Sequence, residues 1–204
     1  MKPAPTTSRS GEPVCVNRNH KIWMWNVNGI RSTLNNQSFG RFMDQAKPDI
    51  LCLNETKIDD EALTKERVKE QIAKWFPMNL QFWNCAKPPK KGYSGVAIFI
   101  RKDFKGGIPS SVEYDFGEEG VHDLEGRTIT CHFKSFILVA TYVPNSGLPG
   151  LNRLEYRVNS WDKDFQHFLK EELEKEYKKP VIMTGDLNVV HKEIDIYRAL
   201  GHER

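Results

Sequence analysis

The chain has 204 residues, 39% hydrophobic and 28% charged, with 30 Lys and Arg against 27 Asp and Glu for a net charge of +3. That length suits one domain with a real core; no stretch approaches the roughly 20 apolar residues of a membrane span, and no apolar signal-peptide core opens the chain. The near-balanced charge permits a polyanionic partner without demanding one, so any basic surface has to be local.

Residues 1–19, with Pro3, Pro5, Thr6, Thr7, Ser8, Ser10, Gly11 and Pro13, hold too little apolar surface to fold and are expected as a mobile tail ahead of a domain over 20–204. Ile22-Trp23-Met24-Trp25 reads as a strand that runs into Asn26-Val27-Asn28-Gly29, although Asn-Gly is also the commonest hairpin signal. Phe39, Phe42, Met43 and Ala46 repeat at three and four, which predicts a short helix ending near Lys47-Pro48. A strand over 50–53 then leads into Asn54-Glu55-Thr56-Lys57. Val68, Ile72, Trp75 and Phe76 carry a predicted helix over 61–76, stopped by Pro77.

Phe82-Trp83 is a short strand ahead of the Lys87-Pro88-Pro89-Lys90-Lys91-Gly92 loop, and 95–101 is a strand. The segments 128–133 and 136–142 flank Lys134-Ser135 and form a predicted hairpin. Over 153–177, Leu154, Val158, Trp161, Phe165, Phe168 or Leu169, and Leu173 trace one apolar helical stripe. Lys179-Pro180 then opens the apolar run Val181-Ile182-Met183 and its sequel Gly185-Asp186-Leu187-Asn188. Strands and helices alternate and several neighbouring strands look antiparallel, so an α/β sheet-and-helix sandwich is expected rather than a purely parallel fold.

Four of these strands finish in polar groups. In extended backbone, positions i and i+2 share a face, so Asp186 and Asn188 point the same way and Leu187 the other. Asn26 and Asn28, Asn54 and Glu55, and Tyr142 and Asn145 end the other three runs. If the runs are neighbours, the groups converge on an oxygen-rich, thiol-poor pocket suited to Mg²⁺ or Mn²⁺ before Zn²⁺. Each group also has a plain alternative: Asp186 and Asn188 as turn residues, Glu55 as a surface glutamate, Tyr142 packed beside a Pro-Asn turn. The loop Lys90-Lys91-Gly92-Tyr93-Ser94-Gly95 either grips a nucleic-acid backbone or is simply solvated. Cys15, Cys52, Cys85 and Cys131 are widely spaced and are expected as reduced thiols of an intracellular protein. The six histidines are scattered without metal-binding spacing, and His122-Asp123 is expected to be structural.

Taken together, Trp25-Asn26-Val27-Asn28-Gly29-Ile30-Arg31, Asn54-Glu55-Thr56-Lys57, Gly92-Tyr93-Ser94-Gly95, Glu125-Gly126-Arg127, Tyr142-Val143-Pro144-Asn145, Arg153-Leu154-Glu155-Tyr156-Arg157 and Gly185-Asp186-Leu187-Asn188 are collinear motifs. In them the chain resembles the exonuclease III-type apurinic/apyrimidinic endonucleases of the endonuclease/exonuclease/phosphatase superfamily. The resemblance implies a four-layered α/β sandwich of the DNase I-like type. It also implies Mg²⁺-dependent hydrolysis (Mn²⁺ as substitute) of double-stranded DNA 5′ to an abasic site, with 3′-end trimming as a related activity. By the same resemblance, Glu55 and Asn28 match metal positions, with Asp186 and Asn188 as further metal-shell candidates. Tyr142 matches the active-site tyrosine, Asp186 the aspartate that orients or activates the nucleophile, and Asn188 the transition-state stabiliser. Asn26, Arg31, Lys57, Tyr93 and Asn145 match substrate-binding or site-support positions.

The pattern departs from the family at several points. Asn28 stands where many animal members carry Asp, Asn54 replaces the usual Gln, and Leu148 follows where some relatives place Arg. The family continues to a Ser-Asp-His motif that is not found before Arg204, so the resemblance implies a C-terminally truncated chain that lacks a catalytic histidine. The alternative to an enzyme is a non-catalytic form that binds DNA or a partner. A nuclear monomer off the membrane is expected, with mitochondrion and cytoplasm as other compartments.

Overall fold

The computed structural model describes residues 20–77, 79–119, 121–122, 124–147, 150–192 and 195. The expected tail 1–19, together with Cys15, Asp123 and Leu148, therefore lies outside the described residues.

Two four-stranded sheets face each other. The first has β1 (Ile22–Asn26), β2 (Ile50–Asn54), β3 (Asn79–Asn84) and β4 (Val96–Arg101) in the order β1-β2-β4-β3. The second has β5 (Ser111–Tyr114), β6 (Thr128–His132), β7 (Ile137–Tyr142) and β8 (Val181–Asp186) in sequence order. Only β1 with β2 and β7 with β8 run parallel among these pairs. Each parallel pair is joined through helices, as a parallel crossover requires.

Side-chain alternation sorts the strand residues into layers. Ile50, Cys52, Val96, Ile98, Ile100, Ile129, Cys131, Leu138 and Ala140 fill the space between the sheets. The opposite faces, with Leu51, Leu53, Ala97 and Phe99 on the first sheet and Ile137 and Val139 on the second, are covered by helices. Over the first sheet lie α1 (Ile30–Asn35), α2 (Ser38–Ala46), α3 (Asp60–Lys65) and α4 (Val68–Trp75). Over the second lies α5, residues 154–177, whose Trp161, Phe165, Phe168 and Leu173 are buried. The four-layered sandwich is as expected from the sequence.

Local departures have local causes. The predicted helix over 61–76 is two helices, because Arg67 takes a left-handed backbone with φ 52° between α3 and α4. Asn28-Gly29 does not make a hairpin: the chain turns through φ 45° and 107° and enters α1. In α5 the turns Arg157–Trp161 and Phe168–Lys175 are widened to π-helical geometry, a feature that often accompanies functional residues. Gly185 is required by close strand contact, since a Cβ there would stand 1.8 Å from the Thr141 carbonyl oxygen.

β1 and β8 are the edges of their sheets at one side of the sandwich among the described residues. Trp23, Ile182, Met183, Val189 and Val190 are exposed there. Cys52, Cys85 and Cys131 are buried free thiols, and no described helix is long and apolar enough to cross a membrane.

Candidate active site

The register explains why the polar strand ends meet. Asn26 is paired with Asn54 across β1 and β2, and Tyr142 with Asp186 across β7 and β8. By alternation all four continue the inner-facing series, Ile22-Met24-Asn26, Ile50-Cys52-Asn54, Leu138-Ala140-Tyr142 and Ile182-Thr184-Asp186. The apolar filling between the sheets therefore ends in a polar layer at the carboxyl edge of four strands.

Asn26 is the hub of that layer. Its Nδ2 donates to Glu55 Oε1 and to Asp186 Oδ2, both at 2.8 Å, and its Oδ1 accepts from the Asn28 amide at 3.1 Å. With both N–H groups and the carbonyl engaged, its orientation is fixed, and it links the first sheet to the second. Asn54, fully buried, adds a second tie: its Oδ1 accepts from the Asp186 backbone N–H at 2.9 Å.

On the second sheet, Asp186 Oδ1 accepts from the Asn188 backbone N–H at 3.0 Å, and Asn188 Nδ2 donates to the Val143 carbonyl at 2.7 Å. The Tyr142 hydroxyl is hydrogen-bonded with Glu55 and Asn188. Burial raises the Tyr142 phenol and the bond to the Glu55 carboxylate raises it further, so Tyr142 stays protonated and acts as a donor.

Arg157 holds this half together. Only 8% exposed, its guanidinium donates to the Pro144 carbonyl at 2.6 Å, the Leu187 carbonyl at 2.9 Å and the Asn188 carbonyl at 3.4 Å, and to Asp162 Oδ1 at 2.8 Å. One cation thereby fastens the loop after β7 to the loop after β8.

On the first sheet, the backbone is held in an uncommon shape. Asn28, Glu55 and Lys57 all have left-handed φ, at 45°, 54° and 49°, which non-glycine residues adopt at a cost that surrounding structure must offset. Main-chain bonds from Gly29 to the Glu55 carbonyl at 2.8 Å and from Lys57 to the Ser94 carbonyl at 2.9 Å supply that restraint. Burial alone would raise the Glu55 carboxyl, but bonds from Lys57, Asn26 and Tyr142 outweigh it and hold the group below the ordinary glutamate range. Lys57 Nζ lies 2.7 Å from Glu55 Oε2 and also donates to Asn28 Oδ1.

These oxygens are a fit for a hard divalent cation. Among the described residues no three His, Cys, Asp or Glu side chains come together as a cage; the Glu55 carboxylate and the Asn28 amide are the oxygens that could hold an ion here. The ammonium of Lys57 already marks a cation position on those two groups.

A sequence profile of the Endonuclease/Exonuclease/phosphatase family matches residues 25–204. The chain belongs to this family. It is 37% identical over 185 residues to a DNA-(apurinic or apyrimidinic site) endonuclease of Dictyostelium discoideum, covering 91% of this chain and 46% of that protein. It is 38% identical over 176 residues to an exodeoxyribonuclease of Bacillus subtilis, covering 86% of this chain and 61% of that one. Among solved structures, the AP endonuclease of Leishmania major matches with a TM-score of 0.68 and 32% identity, covering 88% of this chain and 58% of that chain. The chain thus spans roughly half to three fifths of the length of these family members.

The remaining expected residues fall around the cluster. Arg31 makes a two-pronged ion pair with exposed Glu66, at 2.6 and 2.8 Å, and its Nη1 lies 3.3 Å from the Lys57 carbonyl. Asn145 is exposed and accepts from Gly147 N–H in its own turn at 3.0 Å, a turn motif and not a bond into the cluster. The Tyr93 hydroxyl accepts from Arg127 at 3.1 Å and Arg153 at 3.0 Å. Behind it, Arg127, 1% exposed, donates to the Tyr142 carbonyl at 2.9 Å and lies 4.8 Å from the Tyr142 ring centre. Glu125 collects Lys90, Arg127 and Arg153; burial would raise its carboxyl, but these cations bring it down to about 2. His122 bonds to Tyr156 and Asp164 and stacks on Phe116, a structural setting as expected.

Sequence reasoning assigned no role to Arg157 or Arg127, and it placed Asn54 among the converging strand ends, and as a departure from the family pattern, without a role of its own. Arg157 and Asn54 bond largely to main-chain groups, which leave no trace in residue spacing, and Arg127 reaches Glu125, Tyr93 and the Tyr142 carbonyl from separate stretches of chain. The one available signal was their position inside the collinear motifs.

Proposed function

We propose that the protein is a divalent-metal-dependent DNA nuclease that hydrolyses the phosphodiester 5′ to an abasic site, with Mg²⁺ as its ion and 3′-end trimming as a related activity. The observation that carries this reading is the Asn26 amide, which bridges the Glu55 and Asp186 carboxylates across two sheets. Such a bridge sets two hard anionic groups at a fixed spacing on the rim of the sandwich. The AP endonuclease and exodeoxyribonuclease relatives supply the substrate class. A nuclear location goes with this reading, since relatives whose names mention repair come from the eukaryotes Danio rerio and Drosophila melanogaster.

When bound by Glu55 and Asn28, a divalent cation supplies electrostatic stabilisation of the charge that develops on phosphorus oxygens. The chain's own residues do the rest. Asp186 keeps one oxygen on Asn26 and one on the Asn188 N–H, and each oxygen retains a lone pair that can orient a water for in-line attack. The Asn188 amide divides its donors between Val143 and Tyr142, and the N–H turned toward Tyr142 is the one available to a phosphoryl oxygen. The protonated Tyr142 hydroxyl gives its one proton to Glu55 and becomes a second donor to a phosphoryl oxygen only by leaving that bond. The Lys90-Lys91-Gly92-Tyr93 loop is the proposed grip on the DNA backbone, with Lys90 and Lys91 now paired to Glu125 and Glu61.

A second reading, DNA binding without turnover, is favoured by Lys57, whose ammonium already occupies the Glu55 and Asn28 oxygens. One experiment separates the two: a duplex with a single abasic analogue is incubated with the protein in Mg²⁺ and in chelator. Incision in Mg²⁺ alone supports the nuclease; chelator-resistant incision contradicts the metal-dependent mechanism. Retained binding without incision supports the second reading.

A further inference from the structure

Lys57 sits on the two groups that the proposed function gives to the divalent cation. Its ammonium is 2.7 Å from Glu55 Oε2 and donates to Asn28 Oδ1. A Mg²⁺ ion binds oxygen at about 2.1 Å, so an ion on the same two atoms would lie only a few ångströms from the ammonium nitrogen. Two positive centres that close repel strongly where water is partly excluded, and the Glu55 side chain is only 17% exposed.

The backbone cannot relieve the conflict. Left-handed φ values at Asn28, Glu55 and Lys57, together with the main-chain bonds to Ser94 and Glu55, fix both loops. The lysine side chain can. It is 37% exposed and turns on four single bonds, so it has a path off the carboxylate and into solvent.

We propose that Lys57 is an exchangeable counter-cation, which holds the Asn28 and Glu55 oxygens in the free protein and is displaced when a divalent cation binds. This inference rests on the proposed metal-dependent function. The ammonium offsets the negative charge that Glu55 and Asp186 share through Asn26, and so preserves the site's shape without metal. Once displaced, it stands at the mouth of the site as a mobile cation for a phosphate oxygen. Metal entry thus frees a positive charge at the moment a polyanionic substrate needs one. Divalent-ion affinity is correspondingly held below what the two oxygens would give alone.

The test is a Mn²⁺ titration of the wild-type protein, Lys57→Met, Lys57→Arg and Glu55→Gln, read by water proton relaxation, with thermal melting to establish that each variant is folded. Lys57→Met is expected to bind Mn²⁺ about fivefold more tightly than wild type, the factor expected for loss of a competing ion pair of ordinary strength. Lys57→Arg, which keeps the charge, is expected to stay near wild type, and Glu55→Gln to lose the site. Equal or weaker binding by Lys57→Met, with Glu55→Gln still defective, overturns the inference and leaves the metal site standing. No Mn²⁺ binding by the wild type, or binding unaffected by Glu55→Gln, overturns both.

Discussion

The two halves of the candidate site are built on different physical terms. On the second sheet, Tyr142, Asp186 and Asn188 are held by backbone: Arg157 ties their loops through three carbonyls, and Gly185 lets β8 close on β7. On the first, Asn28 and Glu55, with left-handed φ values like that of Asn188 on the second, are held by a lysine whose side chain is 37% exposed. In the proposed function, the half that would orient water and phosphate is the clamped one, and the half that would accept an ion is the one held by the Lys57 ammonium.

That contrast can be broken from the rigid side first. Asp186→Asn keeps the shape but removes the charge that orients water, and it is expected to lower incision of an abasic duplex by about two to four orders of magnitude with folding unchanged. Single-turnover rates check this. Gly185→Ala drives a Cβ toward the Thr141 carbonyl and is expected to cost about 3 kcal/mol or more in denaturant unfolding, since backbone on both sides must shift. Arg157→Met leaves three carbonyls without their donor and is expected to cost about 2–4 kcal/mol. Its signature is a disturbed second-sheet half with Mn²⁺ binding at Glu55 largely kept.

Weaker effects sharpen the picture at the periphery. Glu125 is brought from 4.5 to about 2 in the folded protein by its three cations, against the opposing effect of burial. Its contribution to stability is therefore complete above about pH 5 and lost as pH falls through the unfolded value toward the folded one. Asp115, raised by burial, works in the opposite direction, so the comparison to make is wild type against Glu125→Gln. The variant is expected to show a flatter acid limb in denaturant midpoints between about pH 5 and about pH 3. Arg31→Gln breaks an ion pair whose members are 43% and 41% exposed and is expected to change stability by less than about 1 kcal/mol.

Much of the site was legible because four apolar runs each end in polar residues, and alternation carries those residues onto the inner face. The long amphipathic helix and the strands read at 50–53, 128–133 and 136–142, the last two as a hairpin, follow from pattern alone, and these strands lie within a residue of β2, β6 and β7 at each end. Their convergence did not. It depends on the parallel registers Asn26 with Asn54 and Tyr142 with Asp186, and on the facing of two sheets. β5 was missed because Ser111, Glu113 and Tyr114 are exposed and Val112 is its one packed apolar side chain. α1 was hidden behind the Asn28-Gly29 turn signal. The roles of Arg157 and Asn54 were invisible because their bonds go to backbone atoms far away in the chain.

The central claim is that the ends of β1, β2, β7 and β8 form one ion-binding, phosphate-facing site. Paramagnetic broadening of side-chain amide signals by trace Mn²⁺ tests it most directly. The account predicts that the amides of Asn26, Asn28 and Asn188 broaden together and first, while those of Asn79 and Asn159 stay sharp. Broadening of Asn79 or Asn159 ahead of Asn26, or of Asn28 without Asn188, would contradict a single shared site.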